Sequence, residues 1–174
     1  LAFYESEVEI GQIVVYPKAS RDAEEYAVEQ LKDFRHQLES GRRDMKTLAA
    51  LYSDDPGSKD KAGQYEINRN EKQWDPTFLA KAFTLKEGQV SAPFKSKFGY
   101  HIIQMMNRAG DDAVIRHILK IPQITKTEIR AAQQKLDSVR AKLIAGTIGF
   151  GEAVNKYSDD ESSKFTGGMK LNGE

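Results

Sequence analysis

Residues Phe98–Lys120, FGYHIIQMMNRAGDDAVIRHILK, decide how this chain is organised. Tyr100 to Met106 and Val114 to Lys120 alternate apolar and polar residues as half-buried strands do, and each carries one histidine, His101 or His117. Between them Asn107 to Asp112 supplies Asn, Gly and two Asp, residues that favour turns. The stretch reads as a seam at which one folded unit ends and another begins.

Sliding the chain on itself by the separation of Gln12 and His117 shows what lies on either side. Val8-Glu9-Ile10-Gly11-Gln12-Ile13-Val14 falls on Ala113-Val114-Ile115-Arg116-His117-Ile118-Leu119, Pro17 on Pro122 and Gly41 on Gly146. Tyr52-Ser53-Asp54-Asp55 meets Tyr157-Ser158-Asp159-Asp160 letter for letter, and Gly63 meets Gly168. Four identical residues can coincide by chance, but this register holds without a gap. A period of roughly 100 residues exceeds the ~20–50 of solenoid repeats, so the copies are tandem domains of ordinary size. The expected boundaries are 1–108 for the first and 109–174 for the second, with the second truncated: a partner for His101 would lie beyond Glu174, so the chain is expected to be a piece of a longer protein.

Composition narrows the classes. Lys and Arg number 26, Asp and Glu 26, so no basic footprint for nucleic acid is present. No run approaches the ~20 apolar residues of a membrane span, and membrane insertion is not expected. Cysteine is absent, which removes disulfides, thiolate catalysis and Cys-rich zinc sites and leaves the compartment open. His36, His101 and His117 lack metal-ligand spacing, and neither a G-x-S-x-G elbow nor a Gly-rich phosphate loop occurs. Metallo- and serine-hydrolase chemistry is excluded on this inventory, and no metal or cofactor is expected.

In the first copy Val8 to Val15 reads as a strand from its β-branched content. Ser20 is a helix N-cap followed by acidic residues, and Ala27, Leu31, Phe34 and Leu38 form a buried stripe that Gly41 stops. A shorter helix follows Asp44, with Met45, Leu48, Ala49 and Tyr52 at helical spacing. Ser53 to Gly63 is turn-rich loop, and Asp75-Pro76 opens a third helix with Phe78, Leu79, Ala82 and Phe83 as its apolar face. In the second copy Thr125 and Glu128 make a capping box ahead of Ala132, Leu136, Val139 and Leu143. This order predicts an α+β fold in which helices pack on a small antiparallel sheet.

Three stretches, Ser53-Asp54-Asp55-Pro56-Gly57-Ser58 leading to Ala62-Gly63, Phe83 to Pro93, and Phe98-Gly99-Tyr100-His101-Ile102-Ile103, together resemble the parvulin family of peptidyl-prolyl cis-trans isomerases. The tandem copies resemble its SurA-like branch of periplasmic chaperone-isomerases. The resemblance implies an FKBP-like domain with a four-stranded antiparallel sheet and surrounding helices, and a site with one histidine on the first strand and one on the last. Carried onto this sequence it implies His101 as the last-strand histidine, Asp55 as the loop acid, Ser96 as the small hydroxyl, and Trp74 and Phe78 as the proline pocket. Gln12 stands where the first-strand histidine belongs, while the second copy carries His117 there together with Asp160. The implied partners are unfolded or extended, proline-containing polypeptides, including outer-membrane protein clients, and the implied location is the periplasm.

Without the resemblance the same residues have plainer readings. A strand histidine such as His101 is commonly a hydrogen-bonded core residue, Asp54 and Asp55 would make turn hydrogen bonds, and Trp74 and Phe78 would be core. Two functions are left in play. The first copy is a working isomerase if the Gln12 amide replaces an imidazole as donor and acceptor. It is a peptide-binding chaperone module, weakly catalytic or inactive, if the amide does not, and the second reading is the expectation for that copy.

Overall fold

The structure, a computed structural model, describes residues 10–169. These form two compact units: Ser20–Gln123 is one, and the described residues on either side of it make the other.

In the first unit, α1 (Arg21–Glu39) begins where Ser20 Oγ accepts the Ala23 N–H, and it buries Ala27, Leu31 and Phe34 as the stripe predicts. Helix α2 (Met45–Tyr52) is capped by Asp44, and α3 (Pro76–Phe83) by Asp75, whose carboxylate takes the N–H groups of Thr77 and Phe78. Four strands, β1 (Gln64–Asn68), β2 (Phe94–Ser96), β3 (Gly99–Ala109) and β4 (Asp112–Lys120), pair antiparallel in the order β1-β4-β3-β2. Alternation along β3 and β4 sends neighbouring residues to opposite faces. Ile103, Met105 and Ile115 pack with Phe78, Leu79 and Ala82 of α3, whereas Ile102 and Ile118 pack with Leu31, Phe34, Leu48 and Ala49 of α1 and α2. Helices therefore cover both faces of the sheet.

The seam is a hairpin. Strands β3 and β4 pair from Ala109↔Asp112 to Tyr100↔Lys120, with one irregularity between Met105 and Asn107, and the turn is Gly110-Asp111. A two-residue Gly-containing turn between alternating strands is a hairpin signal, and it outweighs the reading of residues 107–112 as a break between domains. Strand β4, taken from the second sequence copy, lies at the centre of the first unit's sheet. The boundary at 108/109 marks the repeat in the sequence, while the compact units divide at 19/20 and 123/124.

The segment of the first copy that matches β4 lies in the other unit. There Gly11 bridges Met169, and among the described residues 12–20 no strand is assigned; Val8 and Glu9, the start of the expected strand, lie outside the described residues. This unit also contains α4 (Lys126–Ile144), opened by the Thr125–Glu128 capping box, α5 (Phe150–Tyr157) and α6 (Glu161–Lys164).

Both segments are held by the same bonds, 105 residues apart, the separation of Gln12 and His117. His117 N–H donates to Gly63 O at 2.9 Å and Gln12 N–H to Gly168 O at 2.8 Å. Leu119 N–H donates to Ser53 Oγ, and Val14 N–H to Ser158 Oγ, each at 3.2 Å. Asp54 N–H reaches Leu119 O at 2.8 Å, and Asp159 N–H reaches Val14 O at 2.7 Å. Each copy thus docks its opening segment into the body of the other. Gly63 and Gly168 permit the docking: both have positive φ, and a Cβ would stand 2.4 Å from His117 O at the one and 2.5 Å from Gln12 O at the other.

Candidate functional site

His101 on β3 and His117 on β4 sit on the α3 face of the sheet, each 3% exposed, with their rings stacked at 5.6 Å between centroids. The loop after α2 brings Asp55 to His117, with Nε2 and Oδ2 2.8 Å apart. Ser96, at the end of β2, brings Oγ within 2.7 Å of His101 Nε2. The expected trio of His101, Asp55 and Ser96 is therefore assembled, but its fourth member is His117 and not Gln12.

That difference follows from the exchange of opening segments. Gln12 lies in the other unit, where its side-chain amide donates to Asp160 Oδ2 at 2.9 Å, the bond equivalent to His117–Asp55. The expected pairing of His117 with Asp160 is corrected in the same way: Asp160 accepts from Gln12, Ser162 and Ser163. The repeat places Gln12 and His117 at one position of the fold, and either docking satisfies the spacing in sequence.

Ser96 Oγ accepts the Phe98 N–H at 3.1 Å and hydrogen-bonds His101 Nε2. His101 Nδ1 faces His117 Nδ1 at 3.4 Å, and His117 Nε2 faces Asp55 and, at 2.9 Å, Ser58 Oγ. The result is a continuous chain of polar contacts from Ser96 through both imidazoles to Asp55. Asp55 Oδ2 also accepts from Ser58 and from the Tyr65 hydroxyl, and Oδ1 from Gly57 N–H. Hydrogen bonding from His117 holds the Asp55 carboxyl well below the usual range, outweighing the opposing effect of burial. Burial, followed by the nearness of His117, lowers His101 to about 4 against weaker opposition from Asp55 and Asp75, so at neutral pH this imidazole is uncharged. Asp54 faces elsewhere: it binds Ile121 N–H and Lys120 Nζ and so locks the end of β4.

Above the histidines lies a pocket of about 380 Å³ whose walls include Tyr65, Trp74, Phe78, Phe98, Leu119 and Ile121. Trp74 and Phe78 stack at 5.8 Å, and Phe78 meets both imidazoles edge-on, at 5.3 and 5.4 Å. The indole N–H of Trp74 is held by Glu71 at 2.7 Å. Phe98 and Ile121, 55% and 44% exposed, carry the apolar surface outward to the rim. Three larger hollows, against Glu66 and Asp112, against Arg69 and Phe83, and against Glu24 and Tyr100, contain neither histidine nor Asp55. Sequence reading reached His101, Asp55, Ser96, Trp74 and Phe78. It missed Ser58 and Tyr65 as neighbours of Asp55, although Ser58 stands within the recognised loop. Among the described residues no group of three or more His, Asp or Glu side chains could hold a metal ion, and no helix is long and apolar enough to cross a membrane.

The family described as "Rotamase: PPIC-type PPIASE domain" matches residues 13–107 and again 117–171, so it follows the repeat in sequence. A protein named foldase protein PrsA, from Clostridium botulinum, is 44% identical over 68 residues, 38% of this chain and 20% of that protein. A protein named chaperone SurA, from Alcanivorax borkumensis, is 30% identical over 174 residues, 95% of this chain and 39% of that protein. The chain thus spans between a fifth and two fifths of the length of these two relatives. Among solved structures, PrsA from Bacillus subtilis is 23% identical, with 86% of this chain and 61% of that chain covered and a TM-score of 0.39.

Proposed function

The chain belongs to the PPIC-type peptidyl-prolyl isomerase (rotamase) family, and from that premise we propose that the unit Ser20–Gln123 catalyses cis-trans isomerisation of Xaa-Pro bonds with His101, His117, Asp55 and Ser96. The observation that carries this reading is the continuous chain Ser96–His101–His117–Asp55 at the floor of an aromatic pocket. Rotation about a peptide bond faces a barrier of ~18–20 kcal/mol because amide resonance is lost at the twisted state. No bond is made or broken, so the site has only to favour the twisted amide over the planar one. Trp74 and Phe78 grip the ring, and their apolar walls displace water that stabilises the polar planar form. The two imidazoles, fixed in orientation by Ser96 and Asp55, present a preorganised floor that needs no rearrangement during rotation.

From the sequence, the first copy, residues 1–108, is expected to be weakly catalytic or inactive because Gln12 stands beside His101. With His117 in that place the reason lapses, and the isomerase reading is preferred to a purely binding one. Partners are unfolded or extended polypeptides containing proline: the apolar rim at Phe98 and Ile121 supports contact with residues flanking the proline. Kinship with proteins named chaperone SurA and foldase PrsA supports a folding role outside the cytoplasm, periplasmic in a Gram-negative cell, with outer-membrane proteins among the clients. Isomerisation of a short Xaa-Pro peptide, followed by exchange NMR with the 174-residue chain, tests the proposal. Catalysis that disappears in His101→Leu supports it, and no catalysis by the unaltered chain refutes it.

A further inference from the structure

Tyr65 is the side chain of the site that the residues of the isomerase chain leave unexplained. Strand β1 holds it opposite Ile115, two positions from His117 on β4. Its ring forms a wall of the pocket, edge-on to Trp74 at 4.9 Å and 5.4 Å from the His117 ring. Its hydroxyl reaches through to Asp55 Oδ2 at 3.1 Å, the oxygen that also takes His117 and Ser58.

We propose that Tyr65 is a positioning residue for isomerisation: its hydroxyl holds Asp55 against His117 while its ring shapes the proline pocket. One side chain thereby joins the place where substrate sits to the group that orients the imidazoles. The inference rests on the isomerase reading of this unit.

Gly57 supplies independent support. It has no positive φ, so the backbone does not demand glycine there, yet a Cβ at that position would stand 2.3 Å from the Tyr65 hydroxyl. The Asp55 loop has left room for a phenol oxygen, and an aromatic wall alone would not need that room. Gly57 N–H also donates to Asp55 Oδ1 at 3.1 Å, so the residue that clears the space also helps to fix the carboxylate. Burial, and after it the Asp55 charge, raises the Tyr65 hydroxyl above its ordinary ionisation range, which keeps it protonated and donating. The hydroxyl approaches Asp55 from the sheet and Ser58 from the loop, so the carboxylate is braced from two elements.

The test compares Tyr65→Phe with the wild type in the 174-residue chain, measuring kcat and KM for an Xaa-Pro peptide together with Tm. Phenylalanine keeps the wall and removes only the donor, so the expected result is kcat lower by about tenfold, the order expected for one hydrogen bond to a charged group, with KM within about twofold and the fold retained. Gly57→Ala provides the second arm: it lowers kcat to the same degree when Tyr65 is present and adds no further loss in Tyr65→Phe, because the displaced hydroxyl is already gone. Unchanged kcat in Tyr65→Phe, a rise in KM alone, or a fall in Tm with kcat intact overturns the assignment and reduces Tyr65 to wall or scaffold. An inactive wild type overturns this inference and the isomerase reading together, whereas an active wild type with an unaffected Tyr65→Phe overturns this inference alone.

Discussion

Cutting the chain at the sequence repeat and cutting it at the compact unit are predicted to give opposite results. A fragment of residues 1–110 keeps α1 to α3 and β1 to β3 but loses β4, the strand that pairs with both β1 and β3. Ile115 and Ile118 are fully buried and Leu119 is 5% exposed, and each such side chain contributes about 1.5–3 kcal/mol on burial. The three together are worth roughly 5–9 kcal/mol as an upper estimate, against a total stability of about 5–15 kcal/mol for a domain. Loss of the strand also leaves β1 and one edge of β3 unpaired, so little stability should remain. Residues 20–123 retain every element of the unit and are expected to unfold in urea in one cooperative transition followed by circular dichroism. Residues 1–110 are expected to show none. A cooperative transition for 1–110 within about 1 kcal/mol of that for 20–123 would mean that residues 10–16 replace β4, and the exchange would be refuted; the margin is twice the scatter expected for independent changes.

Acid should destabilise the unit before it reaches the carboxylate range. His101 titrates at about 4 when folded and at 6.5 when free, so between those values the unfolded chain binds the extra proton and stability falls with pH, by ~1.4 kcal/mol per unit; a His101→Leu variant should show a flatter dependence from pH 6.5 to 4 in urea titrations. Asp55, whose carboxyl lies below its free value, contributes stability that is lost only at still lower pH. Trp74→Ala is expected to weaken binding of a proline-containing peptide by about tenfold by calorimetry, on the scale of a lost aromatic contact at a buried centre; equal affinity would remove the indole from the pocket. Gly63→Ala should destabilise by more than ~1 kcal/mol, because φ is +77° and the Cβ meets the His117 carbonyl; a thermal midpoint equal to wild type would show that β4 does not dock there.

The parts legible in the sequence are those with local causes. Ser20, Asp44, Asp75 and Thr125 each cap the helix that their position announces, because a cap is decided within four residues. His101, Asp55 and Ser96 come together because one sheet face and one loop carry them. Which opening segment fills which socket is a long-range choice. Gln12 and His117 occupy equivalent positions and make equivalent bonds, so neither spacing nor periodicity could distinguish the two dockings. The Gly110-Asp111 turn held the available signal, since strands joined so tightly pair with each other before either finds another partner. Strand β1 escaped notice because Gln64–Asn68 offers only Tyr65 and Ile67 as alternating apolar residues. With β1 unrecognised, the approach of the Tyr65 hydroxyl to Asp55 had no frame in which to appear.

Which residue faces His101 is tested most directly by two single substitutions in the 174-residue chain, read as kcat/KM on one Xaa-Pro peptide. His117→Gln is expected to lower kcat/KM by at least about tenfold, in the range that loss of a preorganised polar group costs, while Gln12→His leaves it unchanged. A gain in activity from Gln12→His with no loss from His117→Gln would put Gln12 beside His101 and contradict the account.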